Sequence, residues 1–197
     1  MLLSVKGLDV KLYNTKRRDV TWETCTLRAW LNSEFFETAF SASEKGQIVL
    51  STVENPDNKE YGTEGGNTTQ DYVYLLSLDE VARYFNIDPY SEKDKDVLSE
   101  ALICLPTQTA VDNGAFIVTQ EYVDKYQSEY SYPLKLGACF WWFRSPGRGQ
   151  LSATDVSFVG YVSDSGGPSK QRVYVYGRSS ASGCKTRFRG AASSDSP

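Results

Sequence analysis

The sequence contains no histidine among its 197 residues. That absence removes the commonest general base and the commonest metal ligand, so Ser-His-Asp and Cys-His mechanisms are excluded. Thr107 and Ser145 remain as hydroxyl nucleophiles, but no Ser-x-x-Lys arrangement surrounds them. The four cysteines, Cys25, Cys104, Cys139 and Cys184, contain no C-x-x-C pair, which argues against zinc-ribbon and thioredoxin-like chemistry. They read as buried free thiols, with a disulfide among the first three as the open alternative. Asp9, Asp19, Glu23 and Glu44 fall at ordinary strand and helix-start positions. The acidic run at 88–96 lacks the spacing and the glycine of an EF-hand loop. The residues therefore point away from catalysis, and no metal and no cofactor is expected.

Binding has more material. In 171–176, an alternating pattern puts Val173 and Val175 on one face and Arg172, Tyr174 and Tyr176 on the other. Tyr and Arg supply large, stiff contact area at binding hot spots. Tyr161 and Ser163, from a strand expected at 155–163, join that surface, and Arg148 and Gln150 follow a turn beside it. These seven residues form the expected contact set for a protein or glycan ligand. The competing reading is a sheet face covered by other parts of the chain.

Local patterning supplies the elements. Alternation at 8–12 predicts a strand. Leu27, Trp30 and Leu31 recur at helical spacing, with Asp19 or Thr21 as cap and a break at Asn32-Ser33. Phe36, Ala39 and Phe40 predict a second short helix, and Ser41 to Glu44 has the spacing of a capping box. Strands are expected at 47–53 and 72–76, helices at 78–85 and 119–127, and a long exposed loop at 54–70.

The run Phe140-Trp141-Trp142-Phe143 carries most information about packing. Neighbouring strand residues face opposite ways, so Trp141 and Trp142 need cover on both sides. A central strand is predicted. Ser145-Pro146-Gly147-Arg148 then reads as a type II turn.

These residues also resemble a known family. Trp141-Trp142-x-Arg144-Ser145-Pro146-Gly147 is similar to the W-W-x-R-S-P-G signature of a bacterial domain-of-unknown-function family (domain of unknown function 6273 type). Further matches are Trp22, Cys25, Leu27, Arg28, Trp30, Leu31, Asn32, Phe36, Ala39, Phe40 and Glu44, then Tyr74 to Ser77, and Cys104 with Pro106 and Thr107. The resemblance implies an α+β, C-type-lectin-like domain with antiparallel sheets, short flanking helices and long loops. It implies a non-enzymatic recognition module, usually part of a larger surface or secreted protein. Within the same fold group, formylglycine-generating enzymes use a redox-active cysteine pair. Cys139 and Cys184 lie 45 positions apart, and a degenerate relative of those enzymes is one alternative reading. A structural, oligomerising domain is another. Relative to the family, one or two N-terminal strands are expected to be missing. Residues 173–182 depart from its V-R-P-A-L-like ending, which suggests a frameshifted or diversified end. The absence of asparagine after Asn113 is compatible with diversification.

Length allows one domain, expected over 1–177, with a Ser, Gly, Ala and Arg-rich disordered tail over 178–197. No apolar run reaches the roughly 18 residues of a membrane span, and no signal peptide is legible at the N-terminus. The formal charge is −4, with 13 basic and 22 acidic residues in 1–139 against 8 and 3 in 140–197. The basic residues of the second part are scattered, and no nucleic-acid partner is expected.

Overall fold

The computed structural model describes residues 2–90, 99–166, 171–174 and 176–180; the side chains of residues 2, 165, 171–174 and 176–180 are not included. The fold is mixed α and β. Its central sheet has five strands in the order β11-β10-β9-β12-β3: β3 is Val10–Leu12, β9 Trp141–Pro146, β10 Ala153–Val156, β11 Val162–Gly166 and β12 Gln171–Tyr174. Strand β12 runs parallel to β9, and the other pairings are antiparallel.

The aromatic run therefore occupies the middle of the sheet, as its pattern predicts. Every residue of β9 is buried. Trp142 packs into one core cluster with Tyr13, Trp22, Leu27 and Leu31. Trp141 and Phe143 enter a second, with Leu76, Val81 and Leu102. Phe140, just before the strand, joins a third cluster around Phe158. Each indole N–H finds a buried acceptor: Trp141 donates to Leu102 O at 2.9 Å and Trp142 to Lys11 O at 3.2 Å. Large rings become good core residues only when their polar edge is satisfied in this way.

Three smaller sheets surround this layer. Strand β13 (Tyr176–Ser180) pairs with β1 (Leu2–Leu3), β4 (Ile48–Val49) and β7 (Tyr74–Leu75). Strand β2 (Lys6–Gly7) runs parallel to β8 (Leu105–Pro106), and β5 (Ser51–Val53) antiparallel to β6 (Thr69–Asp71). Residues 178–180, expected in the tail, thus belong to a strand. Residues 181–197 lie outside the described residues.

The first helical region begins later than expected. Cys25, not Asp19 or Thr21, caps α1 (Thr26–Trp30) by accepting from Arg28 N. Asn32-Ser33 does not end it. The chain continues through a π-helical turn, Leu31–Phe35, into α2 (Phe36–Ala39). Asn32 explains the continuation: its Nδ2 donates to Arg28 O and Val73 O, while its Oδ1 accepts from Tyr72 N and Val73 N. An asparagine that breaks isolated helices here joins the helix to the chain beside β7. Helices α3 (Ala42–Lys45) and α4 (Leu78–Phe85) both start with complete capping boxes, Ser41 with Glu44 and Ser77 with Glu80. Helix α4 ends at Asn86 in the left-handed conformation, a C-terminal stop that asparagine tolerates. Helices α5 (Gln108–Asp112) and α6 (Gln120–Tyr126) are capped by Thr107 and Thr119.

Two turns differ from expectation. Ser145 and Pro146 lie within β9, so the type II turn at 145–148 does not form. The connection to β10 is a loop closed by Gly147 N to Ser152 O at 2.8 Å. Gly147 is required for a different reason: a Cβ there would sit 2.1 Å from Asp164 O. The single strand expected at 155–163 is a hairpin, β10 and β11 joined through a turn in which Ser157 and Tyr161 exchange hydrogen bonds.

Candidate functional site

Where the β9–β10 loop, the start of β11 and the loop before β6 converge, a polar cleft of 260 Å³ opens. Its aromatic walls are Tyr61, Tyr90 and Tyr161, and its charges include Arg148, Asp164 and Glu60.

Asn58 builds one side. Its Oδ1 accepts from Glu60 N and Tyr61 N at 3.0 and 3.3 Å, and its backbone closes the turn against Gly62 and Thr63. Its Nδ2 donates to Pro146 O at 2.9 Å, which ties the turn to the end of β9. Tyr61 is thereby held over the central sheet while its ring remains 36% exposed. Its hydroxyl donates to Asp164. The Arg148 guanidinium lies 5.6 Å from the Tyr61 ring centre and 3.5 Å from Asp164, and Arg148 N donates to Asp164 O at 2.8 Å. On the opposite wall, Lys59 pairs with Asp79 at 2.6 Å and sits 5.4 Å from the Tyr90 ring. Tyr161 projects from the hairpin turn, 40% exposed.

Carboxylates dominate the electrostatics. The hydrogen bond to Asp164, followed by desolvation, pushes the Tyr61 phenol up to about 12. Burial, followed by the charge of Asp79, does the same to Tyr90. The Asp164 charge raises Arg148 further above its ordinary range. At neutral pH both phenols therefore stay protonated; Tyr61 donates to Asp164, and both rings offer stacking surfaces. They are far from the near-neutral poise that general acid–base catalysis favours. Among the described residues, no group of three metal-ligating side chains converges.

Of the seven expected contact residues, Arg148 and Tyr161 meet in this cleft. Gln150 does not: its Nε2 braces Val20 O and Glu64 O, and its carbonyl accepts from Val20 N. Ser163 is half-buried in β11 opposite Asp155, outside the cleft lining. Arg172 and Tyr174 lie on β12, an interior strand between β9 and β3, whereas Tyr176 lies on β13 in another sheet. The three are therefore not one strand's outer face, and their side chains lie outside the described residues. Cys184 and residues 91–96 of the acidic run also lie outside them. Tyr61, Tyr90 and Asp164 were missed by sequence reasoning. The useful signal was an aromatic, Tyr61, inside the Asn58-x-x-Tyr61-Gly62 turn of an otherwise polar loop.

The residues on which the family resemblance was read form the supports rather than the cleft surface. Arg144 donates to Leu75 O at 2.6 Å and Glu54 O at 3.1 Å, and pairs with Glu80. Ser145 Oγ accepts from Leu78 N at the start of α4. Thr107 donates to Leu8 O at 2.8 Å while capping α5. Trp22 and Arg28 both donate to the buried Asp71, at 2.9 and 2.7 Å. Lys11 covers the Trp30 ring at 4.4 Å. Leu27, Leu31 and Phe40 fill the first core, and Cys104 lies in the second.

The chain belongs to the family described as Domain of unknown function (DUF6273), which matches residues 1–180. Neither a curated protein nor a solved structure matches it. Among the described residues, no helix is long and apolar enough to cross a membrane.

Proposed function

We propose that this domain is a non-enzymatic, C-type-lectin-like recognition module of a bacterial surface or secreted protein, and that it holds a protein or glycan ligand in the tyrosine cleft. The carrying observation is the convergence of Tyr61, Tyr90 and Tyr161 with the Arg148–Asp164 pair at loop ends on a rigid central sheet. Stacking faces beside fixed hydrogen-bonding groups suit sugar rings and peptide side chains alike. Loops carried on a rigid scaffold are a common location for such sites. The antiparallel pairings of β13 and of β5 with β6, the helical region from α1 to α3 and the long loop at 54–68 support the lectin-like assignment. The absence of histidine and the raised phenols weigh against a catalytic role.

The test compares the wild-type chain with a Tyr61→Ser/Tyr161→Ser variant on a glycan array and a peptide array. Thermal melts check that both are folded. The wild type should retain a defined subset of probes, and the variant should lose at least about tenfold in affinity, the scale of one hot-spot truncation. No retained probe on either array, or equal retention by a folded variant, would overturn the proposal.

A further inference from the structure

Cys104 immediately precedes β8, and Cys139 lies two residues before β9. Although 35 positions apart in sequence, they are Cα partners in an isolated antiparallel bridge. Cys139 N donates to Cys104 O at 3.0 Å, and the Cys139 thiol donates to the same carbonyl at 3.3 Å. Hydrogen-bonded antiparallel partners stand about 5.5 Å apart at Cα. That lies inside the range of about 4.4–6.8 Å that a disulfide spans. Both thiols are free.

Their surroundings divide the labour between them. Both are buried, Cys139 at 0% and Cys104 at 6% exposed, but only Cys104 lines an apolar cavity of 210 Å³ walled by Leu3, Phe85, Ile103 and Trp141. A small reagent therefore meets Cys104 first and reaches Cys139 only through it. Hydrogen bonding follows the same order. The contact with Cys139, opposed by burial and aided by Gly7, holds the Cys104 thiol below its ordinary range. The neighbouring Cys104 pushes the Cys139 thiol up. Among the described residues, Cys25 has no such partner thiol. It is buried, caps α1, and is pushed up to about 12 by desolvation, which marks an inert structural cysteine.

We propose that Cys104 and Cys139 are a thiol–disulfide exchange site, in which an oxidised small-molecule disulfide converts the pair to an intramolecular bond. The Cys104 thiolate attacks one sulfur of the reagent, forming a mixed disulfide and releasing one reagent thiolate. Cys139 then attacks the Cys104 sulfur and expels the second reagent thiolate, which takes up the Cys139 proton as it leaves. The two cysteines lose two electrons and two protons, and the reagent leaves as two thiols. The new bond closes the segment that carries α5 and α6 onto the entrance to β9. Because both cysteines belong to the second core cluster, the bond cross-links that cluster internally.

The experiment uses the full-length reduced chain, incubated with oxidised glutathione under native conditions, alkylated and digested with trypsin. Lys125 and Lys135 separate the two cysteines into different peptides. The expected product is a single linked pair joining Cys104 to Cys139, with two thiols consumed together and recovered by dithiothreitol. The thermal midpoint should rise by roughly 10 °C, the size expected for closing a loop of this length in a domain of this size. In Cys139→Ala the exchange should stop at a glutathione adduct on Cys104. In the wild type, both thiols remaining free, a lasting glutathione adduct on Cys104, or a bond to another cysteine would each overturn the proposal. The wild-type map decides the matter even if the variant does not fold.

Discussion

Replacing Arg144 by methionine tests whether the end of β9 is a structural hub. Arg144 is 5% exposed, and methionine keeps much of its apolar stem while deleting the guanidinium. The deletion removes the pair with Glu80 and the bonds to Leu75 O and Glu54 O. Breaking a buried ion pair from one side costs about 3–5 kcal/mol. A buried acceptor left unmade costs about 1–3 kcal/mol. Glu80 offsets part of this: it is 22% exposed and keeps its bond to Ser77 N, so its carboxylate is not stranded. The expected loss is about 4 kcal/mol, a large share of the roughly 5–15 kcal/mol that holds a domain together. Urea unfolding should show a lower midpoint with an unchanged slope, and the thermal midpoint should fall by about 8–16 °C. Arg144→Lys keeps the charge but loses the planar fork, and should recover less than half of that loss. A cycle with Glu80→Gln should show coupling of about 1 kcal/mol or more. A loss below about 1 kcal/mol in Arg144→Met would refute the assignment of Arg144 as the junction of β7, α4 and β9.

Two further predictions concern the cleft and its frame. Gly147→Ala places a methyl group 2.1 Å from Asp164 O and 2.8 Å from the Ser152 side chain. It should cost at least the roughly 1–3 kcal/mol of overpacking in urea unfolding, and full wild-type stability would contradict the close approach. Asp164→Ala removes both the hydrogen bond and the charge that raise Tyr61, so an ultraviolet pH titration should show one phenol moving from about 12 back toward the ordinary value near 10. Because the folded-state value is the higher one, this contact stabilises the fold fully below about pH 10. Its contribution is lost as pH rises through 12. An unchanged titration would break the Tyr61–Asp164 assignment.

Elements written in local chemistry were legible. Helix α4 is the clearest, since Ser77, Glu80 and the apolar spacing of Leu78 and Val81 all specify the same start and inward face. The central position of β9 was legible because two adjacent tryptophans leave few alternatives. Misreadings arose where a distant partner decides the outcome. Asn32 signals a break locally, but its amide spends its hydrogen bonds on residues forty positions away. Pro146-Gly147 signals a turn locally, yet β9 continues through Pro146 because β10 shifts register there and tolerates a residue with no N–H to give. The cleft shows the same division. Arg148 could be named from the turn signal beside it, and Tyr161 from the alternation of the strand expected at 155–163, although the structure puts it in a hairpin turn. Tyr61 and Asp164 lie 103 positions apart, and only the packing of the Asn58 turn on β9 brings them together.

The scaffold and the proposed recognition surface therefore obey different energetic rules. Trp142, Arg144, Ser145 and Asp71 each satisfy buried partners, so a change at any of them strands a polar group or opens a cavity. Tyr61, Arg148 and Tyr161 meet one another at the rim, where solvent can replace a lost partner at little cost. Asn58 is the link between the two regimes. It is 2% exposed, its amide is fixed to Pro146 O, and its carbonyl oxygen shapes the turn that presents Tyr61. Rim residues can change without loss of the fold only while this link and the β9 hub stay intact. That separation of buried, obligate contacts from solvent-compensated ones is the physical condition that the proposed recognition role requires.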